Sequence, residues 1–501
     1  MISSFFGLHL ASKALQAHQR AMDVTGHNIA NANTEGYSRQ IVDYTASTPL
    51  PPIFNGVTSL QFGTGVELSQ IRRARNQFLD GQVRLQNWIE GYSQAKSEIL
   101  SQVEDVLHEP SDTGLSSTIN TFFNAWQELT TDAESTAARS NLRESARTMT
   151  VAFQDTARQL GQMQSDLNES VKDTVSEINS FTKQIAELNA KINEVTVLNG
   201  NPNDLMDKRD LLIEKLSKLT DVQVVAGKNN QSNVFIYGKA IVREDESVDL
   251  AVQEEPVSTA IDGISKLVFV KWSDDLAGSN VNLSSGKLKG ILDSRGSGNP
   301  GDDGGLVKYS DKLNTLVSTI VSEFNTQHQA GFGLDGSTLN NFFDDDFDND
   351  GITDIVTALN FSLSEAIDGD LKKIAAAGLD ITTGLPGGPG DASNALLMVQ
   401  LKYLTGHLDP DISNSTYEDY YNGVIAGLGV ESAEAQRVNE NQQFLLAQID
   451  ERRLSTSGVS LDEEMTNMLM YQRSYEAAAR VVTAVDEMLD TLINRMGLVG
   501  R

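Results

Sequence analysis

The stretch LDEEMTNMLMYQRSYEAAARVVTAVDEMLDTLINRM, residues 461–496, places an apolar side chain at every seventh position: Leu461, Met468, Tyr475, Val482, Leu489 and Met496. Met465, Ala478, Val485 and Leu492 fill the neighbouring positions. Ahead of it, Ser460-Leu-Asp-Glu463 has the pattern of a capping box, in which the serine accepts from the first turn and the glutamate reaches back. No Gly or Pro follows before Gly497, so about 36 residues are expected to form one helix about 50 Å long. Side chains seven apart share one side of a helix and, repeated, form the narrow seam by which helices wind round one another. The N-terminus repeats the design at Leu8, Leu15, Met22 and Ile29. A chain with seams at both extremities reads as an assembly subunit rather than an enzyme.

At 501 residues the chain exceeds what one core fills, so two to four domains are expected. With 39 basic and 69 acidic residues the net charge is −30, which repels a phosphate backbone and argues against nucleic acid as a partner. No stretch reaches the roughly 18 continuous apolar residues of a spanning helix, so no membrane insertion is expected. The start, MISSFFGLHL, lacks the charged region and cleavage site of a secretory signal. Taken bluntly, that composition and start read as cytoplasmic. The absence of cysteine excludes disulfides, thiolate metal sites and cysteine nucleophiles.

The breakers mark the organisation. Pro49-Leu50-Pro51-Pro52 ends the first segment, and no proline lies between Pro110 and Pro202. Within that span Leu167, Thr174, Phe181, Leu188 and Val195 interleave with Val171, Ile178, Ile185 and Ile192. Glycine is absent from Gln162 to Asn199, so this helix should run unbroken for about 40 Å or more. Gly200-Asn201-Pro202 stops it, and Leu205, Leu212, Leu216 and Leu219 start an antiparallel return. Next come short β-branched or aromatic runs, Val222–Val225, Val234–Tyr237 and Leu267–Val270, which read as strands. Helical period returns from Leu306 to Phe324, and Gly331–Asp370 is acidic and irregular. The expected fold class is mainly α, with long coiled-coil helices from both termini and the middle and an inserted β-rich domain, an α+β multidomain rod. Its expected parts are 1–45 with 456–501 as a terminal assembly domain, 46–220 with 287–330 and 371–455 as a helical rod, 221–286 as the β-rich insert and 331–370 as an acidic insertion.

Three patterns resemble sites of chemistry and are read more plainly. Gly331-Phe-Gly333-Leu-Asp-Gly336 spells a dinucleotide fingerprint, but it follows a helix and leads into loop, whereas the fingerprint works between a strand and a helix N-terminus. A helix stop and turn is the expected reading. Asp346, Asp348, Asp350 and Gly351 match the first half of an EF-hand loop, but Thr357 stands where the bidentate Glu belongs. His9, His18 and His27 recur every nine residues and face alternate sides of a helix, so they do not converge on a metal. No metal or other cofactor is expected.

The segment Asp23-Val-Thr-Gly-His-Asn28-Ile-Ala-Asn31-Ala-Asn33-Thr34-Glu35-Gly36-Tyr37-Ser38-Arg39-Gln40 closely resembles the N-terminal signature of the bacterial flagellar rod, hook and hook-associated protein family. Its ending, Tyr37-Ser38-Arg39-Gln40, narrows the resemblance to the hook-associated members. Further matching stretches are Asn201–Asp210, Phe324–Phe332, Gly390–Leu396, Ser457–Glu464 and Tyr471–Tyr475. Glu35 departs from the pattern, standing where Pro is often found. The resemblance implies a structural subunit at the junction of hook and filament, exported through the flagellar type III apparatus without a cleaved signal and therefore extracellular. It implies a ring homo-oligomer with both termini inward as a coiled-coil tube. The implied partners are the hook protein, the adjacent hook-associated protein on the filament side, and a cytoplasmic export chaperone holding the C-terminal helix.

A lone pair of such helices buries little area, so the ends are expected to be disordered in the monomer and to order on assembly. Two other readings compete. One is a rod or hook axial subunit; the other is an extracellular enzyme or adhesin using the inserted domain.

Overall fold

The computed structural model describes residues 5–49, 53–54, 59–60, 63–107, 111, 114–256, 266–296, 304–347, 353–379, 386–407, 409–412 and 414–491. Met496 of the seam, Leu492 beside it, and Asp348, Asp350 and Gly351 of the acidic loop lie outside the described residues. In chain order the elements are α1 (Phe6–Ala30), β1 (Gln40–Ala46), β2 (Ile53–Phe54), β3 (Ser59–Leu60), β4 (Val66–Arg73), α2 (Gln77–Leu107), α3 (Leu115–Thr131), α4 (Thr136–Val197) and α5 (Asn203–Leu219). There follow β5 (Val222–Ala226), β6 (Ser232–Ile236), β7 (Lys239–Arg243), β8 (Glu246–Ser247), β9 (Leu250–Pro256), β10 (Lys266–Trp272), α6 (Lys287–Arg295), α7 (Gly305–Gln329), α8 (Glu365–Gly369), α9 (Ser393–Gln400), α10 (Tyr417–Ser457) and α11 (Leu461–Asp490). The chain is mainly α with small antiparallel sheets, as its sequence pattern indicates.

Two compact units form, one from Met1–Trp88, Ile178–Asp249 and Gln443–Arg501, the other from Ile89–Glu177 and Leu250–Gln442. Segment 221–286 is shared between them: β5–β8 fall in the first and β9–β10 in the second.

In the first unit, α1 packs along α11, and β1 pairs antiparallel with β4 from Gln40↔Arg73 to Ala46↔Val66, with a bulge at Asp43/Tyr44. Strands β5 to β8 make an antiparallel meander. The stop that Gly200 announces is built one residue earlier. Asn199 takes a left-handed φ of 60°, while Gly200 N donates to Val195 O and Asn199 N to Thr196 O. These two bonds satisfy carbonyls left open at the helix end. A Cβ on Gly200 would lie 2.7 Å from Val195 Cγ1, so a side chain there would have to displace Val195.

In the second unit, the core is aromatic. Phe122 and Trp126 of α3, Phe324 of α7, and Phe342, Phe343 and Phe361 are all fully buried, with Phe342–Phe343 and Phe343–Phe361 ring centroids 4.9 and 4.8 Å apart. Each such side chain contributes about 1.5–3 kcal/mol of burial. Three of these rings come from the acidic, irregular 331–370 stretch, whose described residues are thus wedged into the core by their aromatics. Asn325 holds that stretch in place, accepting from Phe342 N and Phe343 N and donating to Phe343 O. The Gly331–Gly336 segment is a helix stop and turn: Gly331 N bonds His328 O, Phe332 bridges Ala377, and Gly336 has φ +78°.

Candidate assembly site in the terminal helices

The two ends meet within one chain, where the sequence alone suggests that they stay unpaired until neighbours supply area. Pairing is antiparallel. A Cβ on Gly7 would lie 3.4 Å from Val485 Cγ2 and one on Gly26 3.9 Å from Met468 Cε, and Asn28 Nδ2 donates to Glu464 Oε2 at 2.9 Å. The face of α1 that closes this contact is small: Ala11, Ala17, Ala21 and Val24 are buried. Small residues let the α11 backbone approach closely, and Met468, Tyr475, Val482 and Leu489 are half-buried, as are Leu8, Leu15, Met22 and Ile29 on α1. Leu461 is 47% exposed.

The signature turn joins the helix pair to its base. Asn28, 1% exposed, accepts from Tyr37 OH and Gln40 N and donates to Gln40 O. Asn31 caps α1 by donating its Nδ2 to His27 O, and Thr34 Oγ1 donates to Asn31 Oδ1. Asn33 is exposed. Gly36 has φ +76° and sits against Leu211, 3.0 Å from where a Cβ would stand, so both conformation and space exclude a side chain. Ser38 N donates to Asp207 Oδ2, and Gln40 Nε2 donates to Asp204 Oδ1. Arg39 spans the turn between α10 and α11: its backbone N donates to Ser457 O, its Nε to Glu464 Oε1 at 2.8 Å and its Nη1 to Glu463 Oε2 at 3.0 Å.

Behind the turn, buried charges alternate. Arg73 bonds Asp207 and Asp210, Arg75 bonds Asp80, Asp210 and Glu214, and Arg453 of α10 bonds Glu214. Burial alone would push the Asp210 carboxyl up; Arg209, Arg75 and Arg73 overcome it and hold it below its ordinary value. The Tyr37 phenol is pushed up, first by burial and then by Asp204, Asp207 and Glu464, so it stays a donor to Asn28. The network is a fixed brace rather than a reactive site, because each carboxylate in it is matched to a guanidinium fork.

The outer side of α11 is apolar too. Met470, Val481 and Met488 are 51%, 49% and 58% exposed, and with Ser474, Ala477 and Ala484 they follow the alternating four–three spacing of a second seam. Leu461, Met465 and Leu469 extend a further exposed apolar flank near the start of the helix. The heptad positions Met468, Tyr475, Val482 and Leu489 mark the face turned to α1, whereas Leu461, the first of that set, lies on the exposed flank; the second stripe stands in the same letters at a different phase. Glu464 and Asp210 carry no periodic signal and stand out only as members of the family-like stretches Ser457–Glu464 and Asn201–Asp210, while Arg73, Glu214 and Arg453 have neither signal. Among the described residues no group of three His, Asp or Glu is placed to hold a metal, and no helix is long and apolar enough to cross a membrane.

Comparison with known proteins adds independent findings. Residues 100–343 match the model of the flagellar hook-associated protein FlgK helical domain, 8–37 that of flagella basal body rod proteins, and 451–496 that of the flagellar basal body rod FlgEFG C-terminal region. The chain is 34% identical to flagellar hook-associated protein 1 of Bacillus subtilis, with 100% of both chains covered. It is 25% identical to that of Salmonella typhimurium over 97% of this chain and 98% of the relative. The solved flagellar hook junction protein FlgK from Burkholderia pseudomallei shares the fold, with TM-score 0.60 and 17% identity, covering 75% of this chain and 100% of that one.

Proposed function

The chain belongs to the flagellar hook-associated protein 1 family, and from that premise we propose that it is the subunit that joins hook to filament. Members of this family are structural parts of the flagellum outside the cell, and the reading is accordingly of a building block with no catalytic role. Copies of the chain close into a ring, with the hook protein on one side and the next hook-associated protein on the other. The chain reaches that place through the flagellar type III apparatus, without a cleaved signal, its C-terminal helix held beforehand by a cytoplasmic chaperone. Residues 1–45 with 456–501 serve as the assembly domain, 46–220 with 287–330 and 371–455 as the rod, and 221–286 and 331–370 as insertions.

The observation that carries this reading is the helix pair itself. Leu8, Leu15, Met22 and Ile29 of α1 and Met468, Tyr475, Val482 and Leu489 of α11 all stay partly exposed in the pair, while Met470, Val481 and Met488 are about half exposed. Apolar surface of this kind on a soluble chain marks an interface, and a heptad-spaced stripe fits another helix. The test is genetic. Cells lacking the chain should build hooks but release filament subunits into the medium, and attached filaments in such cells would end this reading.

A further inference from the structure

We propose that Glu464, with Asn28 and Arg39, is the register key of the terminal helix pair, selecting one pairing of α11 on α1 among those that the apolar seam admits. The seam alone is a poor ruler. Three of the four buried apolar residues of α1 are alanines, and an alanine receives a Met, a Tyr or a Val opposite it with little preference. Heptad repeats are also self-similar, so a shift by seven residues restores apolar contact along most of the length.

The aperiodic feature is polar. Glu464 is the sole buried residue among the described residues of α11, at 2% exposure. Both of its oxygens are taken: Oε2 by Asn28 Nδ2 and Oε1 by Arg39 Nε. In the observed pairing Gly7 stands against Val485 and Gly26 against Met468. A slip that brings Ala478 to Gly7 carries Glu464 to the level of Ala21, a buried apolar position, and strips the carboxylate of both donors. A slip the other way takes it past the end of α1. A buried, unpaired carboxylate is among the costliest things a fold can hold, and one buried polar residue in a seam is the best-attested way to fix register. The inference rests on the assembly reading for its purpose: copies in a ring must present the same outer stripe at the same height, and a one-heptad slip displaces it by about 10 Å.

The absence of cysteine makes the test clean. In the full-length, unassembled chain, Gly7→Cys is combined with Val485→Cys to report the observed register, or with Ala478→Cys to report the slipped one, and disulfide yield is measured under mild oxidation. With Glu464 in place the first pair should exceed the second by about a hundredfold or more. Glu464→Leu, and the double variant Asn28→Leu/Glu464→Leu, which removes the Asn28 amide together with its acceptor at the expense of the bonds to Tyr37 and Gln40, should keep their helix content and bring the two yields to within about tenfold. The proposal is overturned if both leucine variants still cross-link in the observed register alone. It is equally overturned if the wild-type seam forms both pairs, or if the variants lose the helix pair altogether. Because the readout is taken on the monomer, it stands apart from filament attachment. A slipped variant with normal filaments would count against the assembly reading, and a variant in normal register that sheds its filaments would count against the key.

Discussion

His328 has its imidazole fully buried at the end of α7, with Nδ1 against Asn340 O at 2.7 Å and Nε2 accepting from Ala375 N at 2.9 Å. Those two bonds require the neutral ring, protonated on Nδ1. Burial, with a smaller push from the Arg139 charge and against the pull of the Asn340 carbonyl, brings its pKa down to about 4. An unfolded histidine titrates near ~6.5, so the unfolded chain takes up a proton between those values that the folded chain refuses. The stabilisation is complete above pH 6.5 and is lost as pH falls towards 4, at about 1.4 kcal/mol per pH unit. Urea midpoints of the full chain at pH 7, 5.5 and 4.5 should therefore fall more steeply for the wild type than for His328→Gln. Parallel pH profiles would show that this ring is not the titrating group. The letters Phe324 to Phe332 were legible as a family stretch, but their purpose was not: Asn325 and His328 act on backbone atoms of residues 340–343 and 375, and a sequence does not display which distant carbonyl a side chain will meet.

At the scale of the element, α11 has two apolar faces, and substitutions at adjacent positions separate them. Val482 is half-buried on the side turned to α1, while Val481, about 100° round the helix, is 49% exposed. Val482→Asp removes part of the roughly 1.5–3 kcal/mol that full burial of such a side chain contributes and adds partial desolvation of a carboxylate, so it should loosen the α1–α11 pair in the monomer, read as faster amide exchange in both helices. Val481→Asp should leave that exchange unchanged, let the chain be exported, and abolish filament attachment. Normal swimming by Val481→Asp would remove the outer stripe from the function proposed for it. These elements were also the most legible ones. The serine half of the capping box is present, Ser460 accepting from Glu463 N, while the Glu463 carboxylate accepts from Arg39 instead of reaching back, and the strands at 222, 234 and 267 lie where short β-branched runs placed them. The ribbon of β1 and β4 was not read, because its alternation is weak and its partner lies beyond a proline-rich break. The glycine-free run from Gln162 to Asn199 marks only part of the long central helix, since α4 starts at Thr136 and continues through Gly161. A single glycine costs about 1 kcal/mol in a helix interior, and the buried side chains on either side of Gly161, Leu160 and Met163 among them, outweigh it.

For the molecule as a whole, the two ends belong to the first unit and touch its brace, which decides what their removal does. Deleting residues 1–45 and 456–501 takes away Ser38 N and Arg39, and with them the donor to Asp207 Oδ2 and the bridge from Glu464 to the α10 carbonyl of Ser457. Arg73, Arg75 and Arg453 remain, so Asp207, Asp210 and Glu214 keep their guanidinium partners, and the first unit should survive in weakened form. Losing a hydrogen bond to a buried carboxylate costs about 1.5–3 kcal/mol, and about 1 kcal/mol shifts the midpoint of a unit of this size by some 2–4 °C. The second unit, with its core of Phe122, Trp126, Phe324, Phe342, Phe343 and Phe361, loses none of its buried rings. Calorimetry of the full and shortened chains should then show one component lowered by several degrees and the other unmoved. If neither component moves, the signature turn does not brace its unit and acts only on neighbouring copies; if both fall together, the two units unfold as one and the aromatic core is not independent of the ends.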